Sequence, residues 1–300
     1  MSSVPKAVPQ IMMKTVRRSM FGAFLAVAAT LSTGGFADAN AQRRPAQKPV
    51  AIAEPAPPYA AVADLVLRSP VIIDSTIRSV EKLKGPEAVG APAGYARLYV
   101  QADVLALIRG NDSVPARIGY ILDVLPDSRG KLPKLGKIRV LLYGRPVPRL
   151  ANQIQLTGPD SQRRWTPALD ALSRRIATEA LAADAPPVVT GIGNAFHVSG
   201  SLPGEGETQI FLTTRDTRPV SISILRRPGQ QPSWAVSLTE IVDESAAPPQ
   251  RDTLLWYRLA CALPAQLPSA AVEKMSEGDA ATAIQDYAFV IQSLGQCTRS

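Results

Sequence analysis

Short runs in which apolar and polar residues alternate follow one another through residues 59–158. The clearest, ARLYVQADVLALI, places Leu98, Val100 and Ala102 on one face of an extended strand and keeps the alternation to Ile108. VIIDSTIRSVEKL alternates in the same way apart from Ile72. Three more short apolar runs, each bounded by Gly, Pro or Asp, are ARIGYILDV, KIRVLLYGRPV and NQIQLT. Five such runs predict a five-strand antiparallel barrel or sandwich, with an OB-fold-like arrangement as one form of it.

The pattern changes to a helical period and back within residues 159–245. Thr166 and Pro167 are typical of a helix start, and Pro186-Pro187 ends the helical pattern. The predicted buried stripe of this helix is Leu169, Leu172, Ile176 and Leu181. Beyond it, VVTGIGNAFHV, ETQIFLTT, PVSISIL and SWAVSLTEIV predict an antiparallel β meander.

Residues 246–300 return to a helical pattern. RDTLLWYRLACAL predicts a helix capped by Asp252 or Thr253, and GDAATAIQDYAFVIQSLG predicts another that ends at Gly295. The apolar spacing of the second helix predicts that its buried side is Ile284, Ala288 and Ile291, with Leu294 beside them. A short helix over residues 60–68 precedes the first strand. The predicted class is therefore α+β, a β-rich body interrupted by one helix and followed by a helical segment.

The first 41 residues are typical of a secretory signal peptide. Three basic residues precede the apolar run FGAFLAVAATL: Lys14, Arg17 and Arg18. This run is about half of the ~20 residues that a membrane-spanning helix needs, which favours a cleaved signal over a transmembrane anchor. ADANAQ fits the small-x-small cleavage pattern and predicts a cut after Ala41. Residues 42–58 carry five prolines and predict a solvated tether, so we expect a periplasmic protein.

Two cysteines and one histidine limit the chemistry that the chain can support. Cys261 and Cys297 are the only cysteines, and in an oxidising compartment they predict one disulfide. One histidine and two distant cysteines cannot form the usual ligand shell of a structural zinc ion. We therefore predict no metal site and no cofactor.

Basic residues are dense in the middle of the chain. Eleven Lys or Arg side chains lie between Arg129 and Arg175, against two acids. The arginines that we consider for binding an anion or a partner are Arg145, Arg149, Arg163, Arg164, Arg174 and Arg175. An anionic envelope component or an acidic protein is the expected partner, and export argues against nucleic acid. The alternative is internal: these charges dock against the acidic end of the chain or are simply solvated.

One polar segment holds the only candidates for catalysis. Within FHVSGSLPGEGETQIFL, serine hydrolysis would use His197 with Ser199 or Ser201, and a glycosidase would use Glu205 with Glu207. Same-face neighbours in a strand are about 6.5–7 Å apart, too far for a direct contact between His197 and either serine without a turn. A strand, a Gly-rich turn and a second strand explain the segment more simply, so we expect a polar hairpin and no enzyme. A secreted hydrolase remains the alternative function.

Two apolar runs and the tether carry a family resemblance. GETQIFL, LLWYRLACALP and the Pro-rich segment before them resemble an uncharacterised family of exported alphaproteobacterial proteins. The resemblance covers most of the chain after residue 41. It implies export and no mechanism. The expected function is a non-enzymatic, envelope-associated binding or interaction protein.

The signal-peptide interpretation predicts a defined amino terminus. Protein recovered from a periplasmic fraction should begin at Gln42, because Ala41 ends the cleavage pattern. Amino-terminal sequencing and intact mass would measure this. Full-length protein in the cytoplasm with two free thiols would contradict it.

Overall fold

The described part of the chain is α+β, as the hydrophobic pattern predicts. A computed structural model describes residues 57–111, 113–239 and 247–299. The predicted signal peptide and most of the predicted tether lie outside these residues, as does the end of the last predicted strand beyond residue 239. Among the helices that are described, none combines the length and the apolar character needed to cross a membrane.

The first five strands form a closed barrel. They are β1 (Val71–Lys82), β2 (Ala96–Arg109), β3 (Arg117–Val124), β4 (Arg139–Val147) and β5 (Leu150–Leu156). The order is β1-β2-β3-β5-β4, and β4 pairs back with β1 to close the barrel. All pairs are antiparallel except β3 with β5, which are parallel. This is the OB-fold arrangement, one of the forms that the strand pattern predicts. A short strand, β6 (Gln162–Arg164), extends the sheet beside β4.

The second sheet is the predicted meander. Its strands are β7 (Val189–Ser199), β8 (Gly206–Thr214), β9 (Ser221–Arg226) and β10 (Ser233–Ser237). They are antiparallel in the order β10-β9-β8-β7. The helices of the described chain are α1 (Tyr59–Arg68), α2 (Pro167–Leu181), α3 (Leu254–Ala260) and α4 (Glu277–Leu294). Because α4 packs on β7 and β8, one face of this sheet is covered.

Side-chain caps begin the helices where the sequence predicts them. The Thr166 hydroxyl accepts a hydrogen bond from the Leu169 amide at 3.1 Å and starts α2. Thr253, the second of the two predicted caps, starts α3 by accepting from the Trp256 amide at 3.3 Å. Leu181 was predicted to belong to the buried stripe of α2. That prediction is wrong, because this last helical residue is exposed and lies beyond the part of α2 that joins the core.

Two apolar cores organise the described chain. The first fills the barrel with residues such as Ile73, Val100 and Leu142. The second lies outside the barrel, where β1 and β4 pack against α1 and α2. Its members from the two sheets and the helices are Ile72, Leu141, Tyr143, Ile210, Ile222, Trp256 and Tyr287, among others. The barrel and the second sheet therefore share this second core.

The buried face of α4 differs from the predicted one. Its buried residues are Ala283, Asp286, Tyr287, Val290 and Leu294. The prediction is wrong for Ile284, which is 47% exposed, and for Ala288, which is exposed as well, whereas Ile291 packs against the core and Leu294 is buried as predicted. The physical reason is Asp286, a carboxylate that is fully buried by its partners on the neighbouring sheet. A helical pattern places such a residue on the solvent side.

The predicted disulfide is confirmed. Cys261 at the end of α3 is bonded to Cys297, just past the end of α4, with 5.2 Å between the two Cα atoms. A hydrogen bond of 2.9 Å from the Trp256 indole N–H to the Leu294 carbonyl joins the same two helices. The disulfide therefore ties together helices that already pack in the second core.

Replacing both cysteines by serine should lower the free energy of unfolding without changing the fold. The two residues are 36 positions apart, and a loop of this length gives roughly 3–4 kcal/mol in the chain-entropy model. Urea unfolding of the oxidised wild type and of the double variant would measure the difference. The reduced wild type is the matched control and should unfold like the variant. Equal midpoints for the oxidised wild type and the variant would contradict the prediction.

Candidate functional site

A groove crosses the outer face of the barrel along β2, β3 and β5. Its volume is about 780 Å³, and the loop between β1 and β2 forms one wall. The side chains that shape it are Tyr95, Arg97, Ile121, Asp123, Gln153 and Gln155. Successive residues of a strand point to opposite faces, and Leu122 and Ile154 belong to the barrel core, although both also line the base of the groove. Their neighbours in the sequence therefore form the outer floor of the groove.

The charged residues of this face are paired with one another. Arg97 on β2 donates two hydrogen bonds of 2.8 Å to the carboxylate of Asp123 on β3. The same guanidinium donates to the carbonyls of Val89 and Gly90, which holds the β1–β2 loop against the strand. The hydrogen bond to Asp123 raises the pKa of Arg97. One end of the groove therefore has a fixed and locally neutral ion pair.

The other end of the β2–β3 face is paired in the same way. Asp103 on β2 accepts from Arg117 on β3 at 3.0 Å and from Arg78 on β1 at 3.3 Å. The hydrogen bond from Arg117, with a smaller contribution from Arg78, lowers the pKa of Asp103. This exposed pair therefore keeps its opposite charges at neutral pH.

Between the two ion pairs the face is uncharged. The Tyr99 ring lies over Gly119, where an added Cβ would come within 2.2 Å of the phenolic oxygen. The neighbouring Ile121 side chain and the Tyr95 side chain on the wall are each 43% exposed, although both are large apolar groups. Gln153 and Gln155 supply amide donors and acceptors on the β5 side. The centre of the groove thus combines apolar surface with neutral hydrogen-bonding groups.

One of the six predicted arginines, Arg145, contacts a side chain of this groove, and a second, Arg149, lies in the turn that follows its strand. Arg145 on β4 donates a hydrogen bond of 3.1 Å to the Gln155 side chain. Arg149 is exposed in the β4–β5 turn at a φ of 66°. Neither has an ion pair with another residue of the described ranges. Arg145 therefore places a positive charge beside Gln155 at the edge of the groove.

The other four predicted arginines lie on different elements. Arg163 and Arg164 are exposed on β6. On α2, Arg174 pairs with Asp170 at 3.0 Å, and Arg175 lies 3.8 Å from Glu179 and donates to the Asp252 carbonyl. The ion-pair partners of the two arginines of α2 are therefore acids of the same helix and not acids of the carboxyl-terminal end of the chain. The structure does not bring the six arginines together, and anion binding by them stays a prediction.

The polar segment around the histidine is a β hairpin. His197 on β7 lies across from Thr208 on β8, and its Nδ1 is 2.8 Å from the Thr208 hydroxyl. Thr208 in turn donates to Asp286 at 2.5 Å, so the imidazole belongs to a network on the covered side of the sheet. Within the described residues, His197 has no hydrogen bond to Ser199 or to any other serine.

The two candidate glutamates shape the hairpin. Glu205 accepts from the Leu202 amide at 3.2 Å and from the Ser201 hydroxyl at 3.4 Å, which closes the turn. Glu207 accepts from the Gln209 side chain two residues along β8 at 2.8 Å. Across the described ranges, no group of three or more His, Cys, Asp or Glu side chains is placed to hold a metal ion.

Asp286 on α4 is the structural centre that the sequence does not reveal. Its side chain is fully buried and accepts from Arg226 on β9 at 2.6 and 2.7 Å, as well as from Thr208. Helical spacing assigns no special role to one aspartate between apolar residues. The contacts show that it fastens α4 to β8 and β9, and through Thr208 it holds the imidazole of His197.

Changing Asp286 to Asn should destabilise the fold strongly. Arg226 would lose its counter-ion at a half-buried site, and removal of one partner of a buried pair costs about 3–5 kcal/mol. We expect the lower end of that range because the Arg226 side chain is 28% exposed. Thermal and urea unfolding would measure the change, with the exposed neighbour Gln285→Ala as the matched control. A variant as stable as the control would contradict a structural role.

Comparisons with known proteins do not assign the chain to a family. A scan against protein-family models gives no match for the sequence, and a search of curated proteins also gives none. The contacts of the groove are therefore the basis for the functional assignment.

Proposed function

We propose that the protein is an exported, non-enzymatic binding protein of the periplasm that holds a glycan strand of the cell envelope. The observation that carries this proposal is the groove on β2, β3 and β5, with its neutral centre and paired charges. In OB-like barrels this face suits extended polymers, either oligonucleotides or oligosaccharides. The side chains present must decide between the two, because a fold alone does not define a ligand.

The pairing of charges favours a sugar polymer over a nucleic acid. Binding a phosphate backbone requires free Lys or Arg side chains along the path of the strand. In this groove Arg97 is already engaged by Asp123, and farther along the same face of the barrel Arg117 is engaged by Asp103. A polyanion would have to break both pairs or lie beside two carboxylates. An uncharged polar chain meets neither obstacle.

The centre of the groove offers the groups that sugars need. Tyr95 and Ile121 present apolar surface, on which the C–H faces of a pyranose ring can pack. The amides of Gln153 and Gln155 can each donate to and accept from hydroxyl groups. The groove volume of about 780 Å³ lies within the range of ligand-binding pockets.

The expected location and the edge of the groove suggest which glycan it is. The predicted signal peptide would bring the chain to the envelope, where glycan strands carry carboxylate-bearing substituents. Arg145 lies beside Gln155 at the edge of the groove without an ion pair in the described residues, and a carboxylate is a suitable partner for it. The contacts of His197 with Thr208 support binding without catalysis, because its Nδ1 is engaged on the covered side of the sheet.

Shortening the groove side chains should weaken binding to peptidoglycan. Tyr95→Ala and Gln153→Ala each remove one contact group, and a lost stacking or hydrogen-bonding contact of about 1–1.5 kcal/mol corresponds to roughly tenfold in affinity. Co-sedimentation with purified peptidoglycan, over a range of protein concentrations, would measure the apparent Kd. Far-UV circular dichroism would establish that each variant is folded.

The matched control for these variants is Val89→Ala. Val89 is an exposed residue of the same β1–β2 loop, it does not line the groove, and only its backbone carbonyl is used by Arg97. This variant should bind like the wild type. The proposal fails if wild-type protein does not co-sediment, or if the Tyr95 and Gln153 variants bind as well as the Val89 variant.

A further inference from the structure

A second cavity, distinct from the groove, lies where both sheets meet the helices. Its volume is about 580 Å³, and it lies among α1, α2, α3 and the ends of β2, β7 and β8. A single acid, Asp64, lines this cavity. Four arginines line it as well: Arg68, Arg109, Arg215 and Arg258. They are separated widely in the sequence and converge only in the folded chain.

Three of the four arginines have no carboxylate partner within the described residues. Arg68 is engaged by Asp160 and Ser161. Arg109 donates to the Val66 carbonyl at the end of α1 at 2.6 Å and has no ion pair. Arg215 and Arg258 donate no side-chain hydrogen bond to any residue that the structure describes. The Nε atom of Arg258 is buried and lacks a partner.

The single acid of the cavity is already engaged. One oxygen of Asp64 accepts from the Tyr257 hydroxyl at 2.5 Å, and the other accepts from Arg299 at 2.5 Å. The unpaired arginines therefore face a cavity with no free counter-charge among its described residues. Partial removal of the Arg109 and Arg258 guanidinium groups from water is costly unless an anion neutralises them.

The surroundings of Arg109 and Arg258 make the charged form of both side chains less favourable. Burial lowers the pKa of Arg109. Burial also lowers the pKa of Arg258, and the nearby charge of Arg215 lowers it further. Both directions mean that the protein alone stabilises these positive charges less well than water does. A bound anion would reverse both directions.

We infer that this cavity binds the phosphoryl group of a phosphate monoester, a function beyond the glycan binding proposed for the groove. Each guanidinium offers a fork of N–H donors that fits an oxyanion bidentately. A carboxylate has two oxygens, which are too few for three forks, whereas a phosphate monoester has three terminal oxygens and close to two negative charges at pH 7. A cavity of about 580 Å³ also leaves room for the organic part of the ester.

Isothermal titration calorimetry with the purified full chain would test the site. The soluble probes are inorganic phosphate and glycerol 3-phosphate, with glycerol as the uncharged control. Arg215→Gln is the main variant. Arg215 is exposed and has no side-chain partner in the described residues, so its replacement should leave the fold unchanged. We expect saturable binding of both phosphates, weakened about tenfold or more in Arg215→Gln and in Arg258→Gln, since hydrogen bonds to charged groups are the strong ones. Arg227→Gln, an exposed arginine outside the cavity, should bind like the wild type.

The pH dependence separates phosphate recognition from simple charge attraction. Phosphate monoesters lose their second charge below a pKa of about 6, so their affinity should fall between pH 7.5 and pH 5.5. Sulfate keeps both charges over this range, and its affinity should stay constant if the cavity groups do not titrate. The groups that face the anion are Arg68, Arg109, Arg215, Arg258, Asp64 and Tyr257.

Two further measurements show whether the phosphate group comes from a lipid or from a soluble ester, and whether the site binds phosphate at all. Vesicles of phosphatidylcholine with and without phosphatidic acid distinguish a lipid headgroup from a soluble ester, because both present the same monoester group. The inference is overturned if none of the phosphate probes binds saturably, or if Arg227→Gln weakens binding as much as Arg215→Gln. Peptidoglycan binding in the Arg215→Gln variant should be unchanged, so a failure here is distinguishable from a failure of the proposal for the groove.

Discussion

The burial of β1 and β4 on both faces is the constraint on which the rest of the structure depends. One face of each strand fills the barrel. The other face contributes Ile72, Leu141 and Tyr143 to the second core, which also contains residues of α1 and α2. The Tyr143 hydroxyl lies 2.6 Å from the Ser173 hydroxyl of α2, and this hydrogen bond fixes the position of α2 relative to β4. Because this side of the barrel is covered, the groove lies on the opposite strands, and the arginine cavity lies at the margin of the shared core.

The sequence pattern predicts the individual strands and a barrel or sandwich, but it does not predict the order in which the strands pair. Period-two alternation predicts β1 and β2, and short apolar runs bounded by Gly, Pro or Asp predict the other three barrel strands. The one exception to the alternation in β1, Ile72, has a physical cause: this residue faces the second core instead of the barrel interior. The parallel pairing of β3 with β5 rests on residues far apart in the chain, at Gly119 and Gln153, and no local pattern encodes it. Propensity and turns define elements, whereas long-range packing selects their order.

The candidate sites were harder to predict because the decisive property is the partner of each charge. Sequence density drew attention to arginines such as Arg174 and Arg175, which the fold pairs with acids of α2. Arg109, Arg215 and Arg258 lie in separate segments, and none belongs to a basic run. Asp286 is a negatively charged residue whose role likewise depends on a partner that is distant in the sequence. An isolated aspartate on a helix is usually solvated, and only the position of Arg226 makes its burial favourable.

The net charge of +8 therefore does not describe how this protein meets a ligand. On the barrel face Asp123 pairs with Arg97, and Asp103 is shared by Arg117 and Arg78, so each of these charges has a partner within hydrogen-bond distance and the surface between the two clusters is uncharged. Positive charge in the cavity is not cancelled by any acid of the described chain that lines it. Raising the salt concentration should therefore affect the two surfaces differently. Screening acts on the uncompensated arginines of the cavity, whereas contacts with the neutral centre of the groove carry little charge for salt to screen.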